Sequence, residues 1–328
     1  MGDLLLNIKK IWNQEAFQGS NRKKNYFEGW YFKLIDKQRK TALAVIPGIS
    51  IGENLGDSHA FIQVIDAIKG NTEYYRFACG DFEADKTKFD IRIGQNHFSE
   101  NKIKLDLTSG INKVKGELEF QNIVKYPKSF LSPGIMGPFS FIPCMECYHS
   151  VINIQHTING FLDINGLPTD MSGGEGYIEK DWGRSFPDSW IWLQANHFEN
   201  QDASFMFSVA RIPWLGRSFT GMISFFRTEK GFYKFSTYNG SKTDHIKLDG
   251  DTLEVSITNA KYIVDFKTKY AKGGILKAPK NGLMNREIEE SITAEIKLKI
   301  ADHQGNIIFK GRSELVGMEI SGNLDDIL

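Results

Sequence analysis

The feature that most constrains this chain is an alternation of apolar and polar residues with a period of two. It recurs in many short segments that glycine, asparagine or aspartate residues separate, and the clearest are 30–36, 88–94, 102–107, 204–210, 221–227, 252–257, 261–266 and 292–300. A period of two places successive side chains on opposite faces of a β-strand, so each segment predicts a half-buried strand. A helical period is confined to residues 8–17, and no strand–helix–strand alternation is visible. The pattern therefore predicts an all-β fold of antiparallel strands with little helix.

A proline-rich stretch separates two strand-rich halves. Four of the nine prolines lie within residues 127–143, as is typical of a connection between sheets. We expect a domain boundary near residue 145, which gives domains of residues 1–145 and 146–328. Two up-and-down antiparallel barrels and one very large sandwich both satisfy this pattern. Closure into barrels removes the exposed edges of so many strands, which favours the barrels.

Composition and charge exclude several classes of protein. Forty basic and forty acidic residues balance, which removes the broad attraction that drives binding to nucleic acid, so no nucleic-acid partner is expected. The first ten residues lack the pattern of a signal peptide, and no apolar run approaches the roughly 20 residues that span a bilayer. Three cysteines are an odd number for a disulfide framework. We expect a cytoplasmic protein.

The densest polar and aromatic cluster lies in residues 173–187. On a strand, alternation places Tyr177, Glu179 and Asp181 on one face. If that face points into a barrel, burial and the like charge of the neighbour raise the pKa of at least one carboxyl toward a value useful for general acid catalysis. Asp181 is our first choice as proton donor and Glu179 the second.

A purely structural interpretation of the same cluster is an ion-pair network with Lys180 and Arg184 at a barrel rim. A guanidinium lowers the pKa of a nearby carboxyl, so the acid that pairs with Arg184 is expected to stay ionised and to orient the site. The other acid would then be the donor. Trp182 falls on the opposite face, where it is expected to pack in the core unless a bulge at Gly183 turns the strand and makes it a substrate-binding residue.

Residues 177–187, followed by 190–198, resemble the signature of the tocopherol cyclase family. Supporting matches are residues 26–33 near the start, and 137–139 and 143–149 in the middle. The resemblance covers most of the chain in order. It implies a pair of consecutive lipocalin-like, calycin-like β-barrels, related to carotenoid hydratases, which agrees with the strand pattern.

The resemblance also implies chemistry on a prenylated aromatic or isoprenoid substrate, without a metal or redox cofactor. Protonation of a trisubstituted alkene gives a tertiary cation, which a phenolic oxygen captures. The alternative is a non-catalytic, lipocalin-like carrier of a hydrophobic small molecule. Besides the catalytic candidates Tyr177, Glu179, Asp181 and Arg184, the implied site holds cation-facing aromatics (Trp30, Trp190, Trp192), polar residues at the cavity mouth (Glu28, His59, Asn196, His197), and cavity residues of the middle segment (Glu146, His149).

Two weaker signals in the sequence concern a metal site and a membrane surface. Cys144, Cys147 and His149 have the spacing of metal ligands, but a structural zinc site needs a fourth ligand, so no metal is expected. The lysine-rich residues 267–280 are expected to form a solvated turn, with at most transient contact with a membrane surface.

Overall fold

The computed structural model describes residues 9–108, 112–199, 201–214 and 216–327, with Leu55 described by its backbone alone. Residues 1–8, on which the expectation about a signal peptide rests, lie outside this part. The described residues form twenty-two strands and five short 3-10 helices, the latter at Leu55–Asp57, Cys79–Asp81, Gly137–Phe141, Thr237–Asn239 and Leu324–Asp326. The helical period of residues 8–17 corresponds, in its described part, to one turn in which the amide of Asn13 donates to the carbonyl of Lys9.

The strands of the first sheet are β1 (Tyr26–Ile35), β2 (Ala42–Ile51), β3 (His59–Asp66), β4 (Asn71–Phe77), β5 (Phe82–Ala84), β6 (Asp90–Ile93), β7 (Asn96–Ser99), β8 (Lys102–Leu107), β9 (Val114–Lys125), β10 (Cys147–Ile164), β11 (Leu167–Asp170) and β12 (Gly174–Gly183). Their order is β4-β3-β2-β1-β12-β10-β9-β8-β7-β6-β5, and β11 pairs with β10. The pairs that flank β12 are antiparallel.

This first sheet encloses its own core. Tyr75 of edge strand β4 and Ile91 of β6 belong to one buried apolar cluster, against which Phe82 of the other edge strand also packs. Since side chains from both edges reach the same cluster, the sheet curls into a nearly closed barrel. Trp30, Phe32, Phe89, Phe98 and Phe120 supply the large rings of this core.

The second sheet consists of β13 (Trp190–Ala195), β14 (Ala203–Trp214), β15 (Arg217–Thr228), β16 (Gly231–Ser236), β17 (Lys242–Asp249), β18 (Thr252–Thr258), β19 (Tyr262–Lys269), β20 (Gly274–Lys280), β21 (Leu283–Asp302) and β22 (Ile307–Ser321). Its order is β16-β15-β14-β13-β22-β21-β19-β18-β17, and β20 pairs with β21. Phe235 of one edge strand and Ile246 of the other pack in a second apolar cluster.

The predicted all-β class, with two antiparallel barrel-like sheets and little helix, is therefore confirmed. A single large sandwich would share one core between two sheets, whereas here each sheet surrounds a cluster of its own. None of the helices that the structure describes is long and apolar enough to cross a membrane.

The chain divides at a different place from the expected boundary near residue 145. One compact unit comprises the residues up to Phe186 together with Leu276–Glu287, and the other comprises Pro187–Ile275 and the residues from Ile288 onward. The proline-rich stretch does not separate sheets, because it joins β9 to β10, which are neighbours in the first sheet. The distant segment Leu276–Glu287 joins this unit through pairs such as the Gln63 side chain with the backbone of Lys277.

Candidate functional site

The two faces of β12 carry different chemistry. The acid face holds Tyr177, Glu179 and Asp181, and the core face holds the intervening residues, of which Ile178 belongs to the first apolar core. Strand alternation thus places the three predicted residues together. The face on which they lie is turned away from the core that the first sheet encloses, so the acids do not point into that barrel.

On the acid face, four side chains form a continuous chain of polar contacts. The hydroxyl of Tyr177 donates to Oε2 of Glu179 at 2.7 Å. Nε2 of His149, on the neighbouring strand β10, lies 3.5 Å from the same oxygen. Nδ1 of His149 lies 2.9 Å from Oδ1 of Asp181. His149 thus connects the two carboxylates that strand alternation alone places side by side.

The connection between β9 and β10 packs beside these polar contacts. The backbone amide of His149 lies 3.1 Å from the sulfur of Met136, and Tyr148 donates through its hydroxyl to the carbonyl of Ile142 at 2.8 Å. Tyr177 is fully buried, and Glu179 is only 5% exposed. Burial, followed by the nearby Glu179, holds the pKa of the Tyr177 phenol well above its ordinary value. Tyr177 therefore remains a hydrogen-bond donor across the physiological pH range.

A thiol completes the surroundings of Asp181. Sγ of Cys147 lies 3.8 Å from Oδ1 of Asp181, and burial together with that carboxylate raises the pKa of the thiol well above its ordinary value. Cys144 is exposed. Among the described residues, neither Cys144 nor Cys147 belongs to the group of potential metal ligands that includes His149.

Among the described residues, His149, Glu179 and Asp181 form a group whose potential metal-ligating atoms lie within 4.8 Å of one another. His149, however, presents a different ring nitrogen to each acid. One ion bound between them would have to replace at least one of these contacts, since a ring nitrogen that holds a metal cannot also hydrogen-bond to a carboxylate. The observed geometry fits a chain of polar contacts better than a metal centre.

The core face of β12 carries a fully buried ion pair. Nζ of Lys180 lies 2.6 Å from Oε1 of Glu28, and neither side chain is exposed. Lys180 also donates to the carbonyls of Gln14 and Ala16, at 2.7 and 2.6 Å. Burial lowers the pKa of Lys180 to about 8, against the opposing effect of Glu28. Lys180 thus pairs with Glu28 and not with the acids of its own strand.

The expected positions of Glu28 and Trp30 need correction for the same reason. Glu28 does not lie at a cavity mouth but inside the protein. There it also accepts from the backbone amides of Gln18 and Gly19. Trp30 lies on the core face, with Nζ of Lys180 4.6 Å from its ring centre. The cation that Trp30 faces is therefore a lysine of this chain.

Arg184 does not pair with either acid. It is exposed, its Nε donates to the side chain of Asn281 at 2.9 Å, and no carboxylate of the described residues lies within ion-pair distance. The preceding Gly183 has a φ of 151°, and a Cβ there would lie 2.2 Å from the carbonyl oxygen of Glu146. Only glycine allows this close approach, so β12 ends at Gly183 and Arg184 lies beyond the strand. His149 takes the position beside the acids that the sequence suggested for Arg184.

The remaining predicted residues of the first unit lie outside the chain of contacts on the acid face. His59 contacts the hydroxyl of Tyr74 at 2.6 Å and the carbonyl of Asp57, and burial lowers its pKa. The carbonyl of Glu146 accepts from the amide of Arg184 at the end of β12. Trp182, on the core face, stacks on Tyr148 with ring centres 5.4 Å apart. These contacts hold the surrounding structure in place.

Trp190, Trp192, Asn196 and His197 are all buried and lie in the second compact unit. Alternation along β13 places Ile191 and Leu193 in the second core and the two tryptophans on the opposite face. Nε1 of Trp190 donates to Oε2 of Glu319 on β22 at 2.7 Å.

Sequence reasoning missed the acids of this second unit. Glu319 lies directly opposite Glu290 of β21, and Glu290 is fully buried. Burial, with these acids and Glu289 close by, raises the pKa of Tyr270. The signal that could have found them is again alternation, but the strand predicted over 292–300 begins after Glu290, whereas β21 begins at Leu283.

Comparisons with known proteins agree with these observations. The family described as tocopherol cyclase-like matches residues 106–322. The chain is 22% identical over 198 residues to the chloroplastic tocopherol cyclase of Zea mays. This alignment covers 57% of this chain and 41% of that protein. It is 23% identical over 204 residues to a chloroplastic protein of Oryza sativa subsp. japonica, described as a probable tocopherol cyclase, covering 57% of this chain and 42% of that one. The chain thus spans about two fifths of the length of these curated relatives.

Two solved structures share the fold. CghA, solved with Sch210972, superposes with a TM-score of 0.56 at 9% identity, covering 91% of this chain and 89% of that one. A Nitrosomonas europaea protein provisionally named AttH gives a TM-score of 0.53 at 11% identity, covering 90% and 92%. At such low identity these matches establish the lipocalin-like fold alone. Because the family match includes the whole acid face and more than half of the sequence, the chain belongs to the tocopherol cyclase-like family.

Proposed function

We propose that the protein catalyses acid-promoted addition of an O–H group to the alkene of an isoprenoid-bearing substrate, either as a cyclase or as a hydratase. The observation that carries this proposal is the buried chain of contacts from Tyr177 through Glu179 and His149 to Asp181. Such a chain places a buried carboxyl group between a phenol that donates to it and a histidine that a second carboxylate contacts, an arrangement suited to a general acid. The class of protein to which the chain belongs supports the same chemistry.

In this proposal Glu179 is the proton donor and Asp181 orients His149. The contact of His149 with Asp181, at 2.9 Å, is shorter than its contact with Glu179, at 3.5 Å. We therefore assign the orienting role to Asp181, whose contact with the imidazole is the closer one. Burial removes the hydration that an ionised carboxylate needs, and Glu179 is the more buried of the two acids. The order of the two donors is thus reversed from the one that the sequence suggested.

The proposed reaction balances without an external oxidant or reductant. Glu179 transfers its proton to the less substituted carbon of a trisubstituted alkene, forming a C–H bond and leaving a tertiary cation. A phenolic oxygen of the same molecule forms the C–O bond, and its proton returns to the Glu179 carboxylate. Water in place of the phenol gives hydration. Meanwhile the hydroxyl of Tyr177 stabilises the Glu179 carboxylate by donating to it.

The experiment uses a hydroquinone that carries an isoprenoid chain, incubated with the whole protein in heavy water. We expect a chromanol product with one deuterium at the carbon that was protonated. Glu179→Gln keeps the shape of the side chain and removes the acid, so turnover should fall about 10²–10⁴-fold. Glu119→Gln, an exposed position on β9, is the matched control and should leave turnover unchanged.

Two results would refute the proposal. Turnover that survives Glu179→Gln within a few-fold would remove the carboxylic acid from the mechanism. Tight binding of the hydroquinone without any product, in the wild-type protein, would instead support the carrier of a hydrophobic small molecule.

A further inference from the structure

His149 and Glu179 present two atoms at the separation of two ligands of one zinc ion. Nε2 of His149 lies 3.5 Å from Oε2 of Glu179. Zinc binds histidine nitrogen and carboxylate oxygen at about 2.0–2.2 Å, so two ligands at a tetrahedral angle lie roughly 3.4 Å apart. A hydrogen bond between such atoms is ordinarily shorter, at about 2.7–3.2 Å. The separation of these two atoms thus suits a shared ion better than it suits a direct bond.

The neighbouring side chains hold these two atoms as the supporting residues of zinc sites do. A histidine that binds zinc through one ring nitrogen ordinarily donates from the other to a carboxylate, and a ligating carboxylate accepts a further hydrogen bond. Nδ1 of His149 lies 2.9 Å from Oδ1 of Asp181, and the hydroxyl of Tyr177 donates to Oε2 of Glu179 at 2.7 Å. An ion between His149 and Glu179 replaces only their mutual contact, so both supporting contacts persist.

Strand pairing creates this arrangement and leaves it open to ions. His149 on β10 lies directly opposite Asp181 on β12, and Glu179 lies two residues earlier on the same face. In the part of the chain that the structure describes, no other three potential metal-ligating side chains come together in this way. The side chains of His149 and Asp181 are 14% and 22% exposed, so an ion can reach the site from solvent.

We propose that a zinc ion binds between Nε2 of His149 and Oε2 of Glu179 and blocks the site. Two protein ligands leave two positions of a tetrahedral ion to water, so the ion is exchangeable and not structural. Imidazole favours zinc over magnesium, which prefers six oxygen ligands. The oxygen of Glu179 that holds the ion cannot hold the proton that the reaction needs, and that proton is released to solvent. The inhibition, though not the binding, rests on the proposed function.

The test is calorimetric titration of zinc into the whole protein with Cys79→Ser and Cys144→Ser, which remove the two exposed thiols. We expect one zinc ion per chain at this site. Asp181→Asn, which removes the support of Nδ1, should weaken binding by about tenfold or more, since loss of a supporting contact costs about 10–100-fold. Glu179→Gln removes a ligand and should weaken binding at least as much.

The matched control is His97→Gln in the same background. Nε2 of His97 lies 3.1 Å from Oδ1 of Asp90, but this pair belongs to no group of three potential ligands within the described ranges. The control should therefore bind zinc like the parent protein. Magnesium in excess should not displace the ion from either protein.

Several results would overturn the proposal. These are the absence of stoichiometric zinc binding, equal affinities in Glu179→Gln and His97→Gln, and displacement of the ion by magnesium. Turnover of the hydroquinone should fall when zinc saturates the parent protein and should return when a chelator is added. Turnover that saturating zinc leaves unchanged would also overturn the proposal. Zinc binding with the expected pattern among the variants, in a protein without turnover, would support the zinc site and refute the proposed function alone.

Discussion

The two faces of the β10–β12 ladder carry similar side chains and use them in opposite ways. On the core face, Lys180 and Glu28 form a closed pair with no exposure, and His156 packs against Phe120 with ring centres 4.1 Å apart. On the acid face, His149 lies between two carboxylates, one of which is partly exposed. A closed pair holds its proton in one place, whereas a histidine between two acids can pass a proton along. The difference teaches that burial of charge alone does not mark a site.

The largest expected effect concerns the core face. Lys180→Met should lower the free energy of unfolding by about 3–5 kcal/mol, because it leaves Glu28 buried without its cation. Urea unfolding measures this. The control, Lys267→Met, breaks the exposed pair of Lys267 with Glu254 and should leave the midpoint nearly unchanged. Equal effects of both substitutions would contradict the contrast between a buried structural pair and a surface pair.

His156, a buried histidine of β10, gives the next test. Burial lowers the pKa of His156 to about 3, from an ordinary value of 6.5. Between these values the unfolded chain binds more protons, so stability should fall as pH drops below 6.5, by about 1.4 kcal/mol per pH unit. His156→Leu should flatten this dependence in urea unfolding at pH 4 to 7. The exposed His245→Leu should not, and an unchanged slope in His156→Leu would show that another group is responsible.

On the acid face, activity should respond more than stability. Asp181→Asn removes the charge that holds Nδ1 of His149. Turnover should fall about 10²-fold through misplacement of the imidazole, and the pH profile should shift. The free energy of unfolding should change by no more than about 1.5 kcal/mol, the contribution of one hydrogen bond. A loss of stability as large as that of Lys180→Met would place Asp181 among the structural ion pairs.

The smallest expected effect is that of one hydroxyl. Tyr177→Phe removes the donor to Glu179 and should cost about 1 kcal/mol of stability. It should also alter the pH profile of turnover. Tyr148→Phe removes a bond to the backbone carbonyl of Ile142 and is the matched control, with a similar cost and an unaltered profile. Identical profiles in both variants would remove Tyr177 from the site.

Alternation along single strands was readable from the sequence. The strand over 102–107 coincides with β8, and the shared face of Tyr177, Glu179 and Asp181 follows from the period of two alone. These features are local, because the direction of each side chain depends on its own strand. The partner of the acids was predicted wrongly. Arg184 is near in sequence, while His149 is 32 residues from Asp181 and meets it only because β10 pairs with β12.

The sequence by itself determined the all-β class, the strand periods and the family signature, since each of these depends on neighbouring residues or on the order of motifs. Only the tertiary structure decided where the first unit ends and which face of β12 meets the core. It also decided that Lys180 finds Glu28, 152 positions away, instead of the acids beside it. The physical reason is that pairing between strands is non-local: the register of β1, β10 and β12 sets these contacts, and no single segment contains that register.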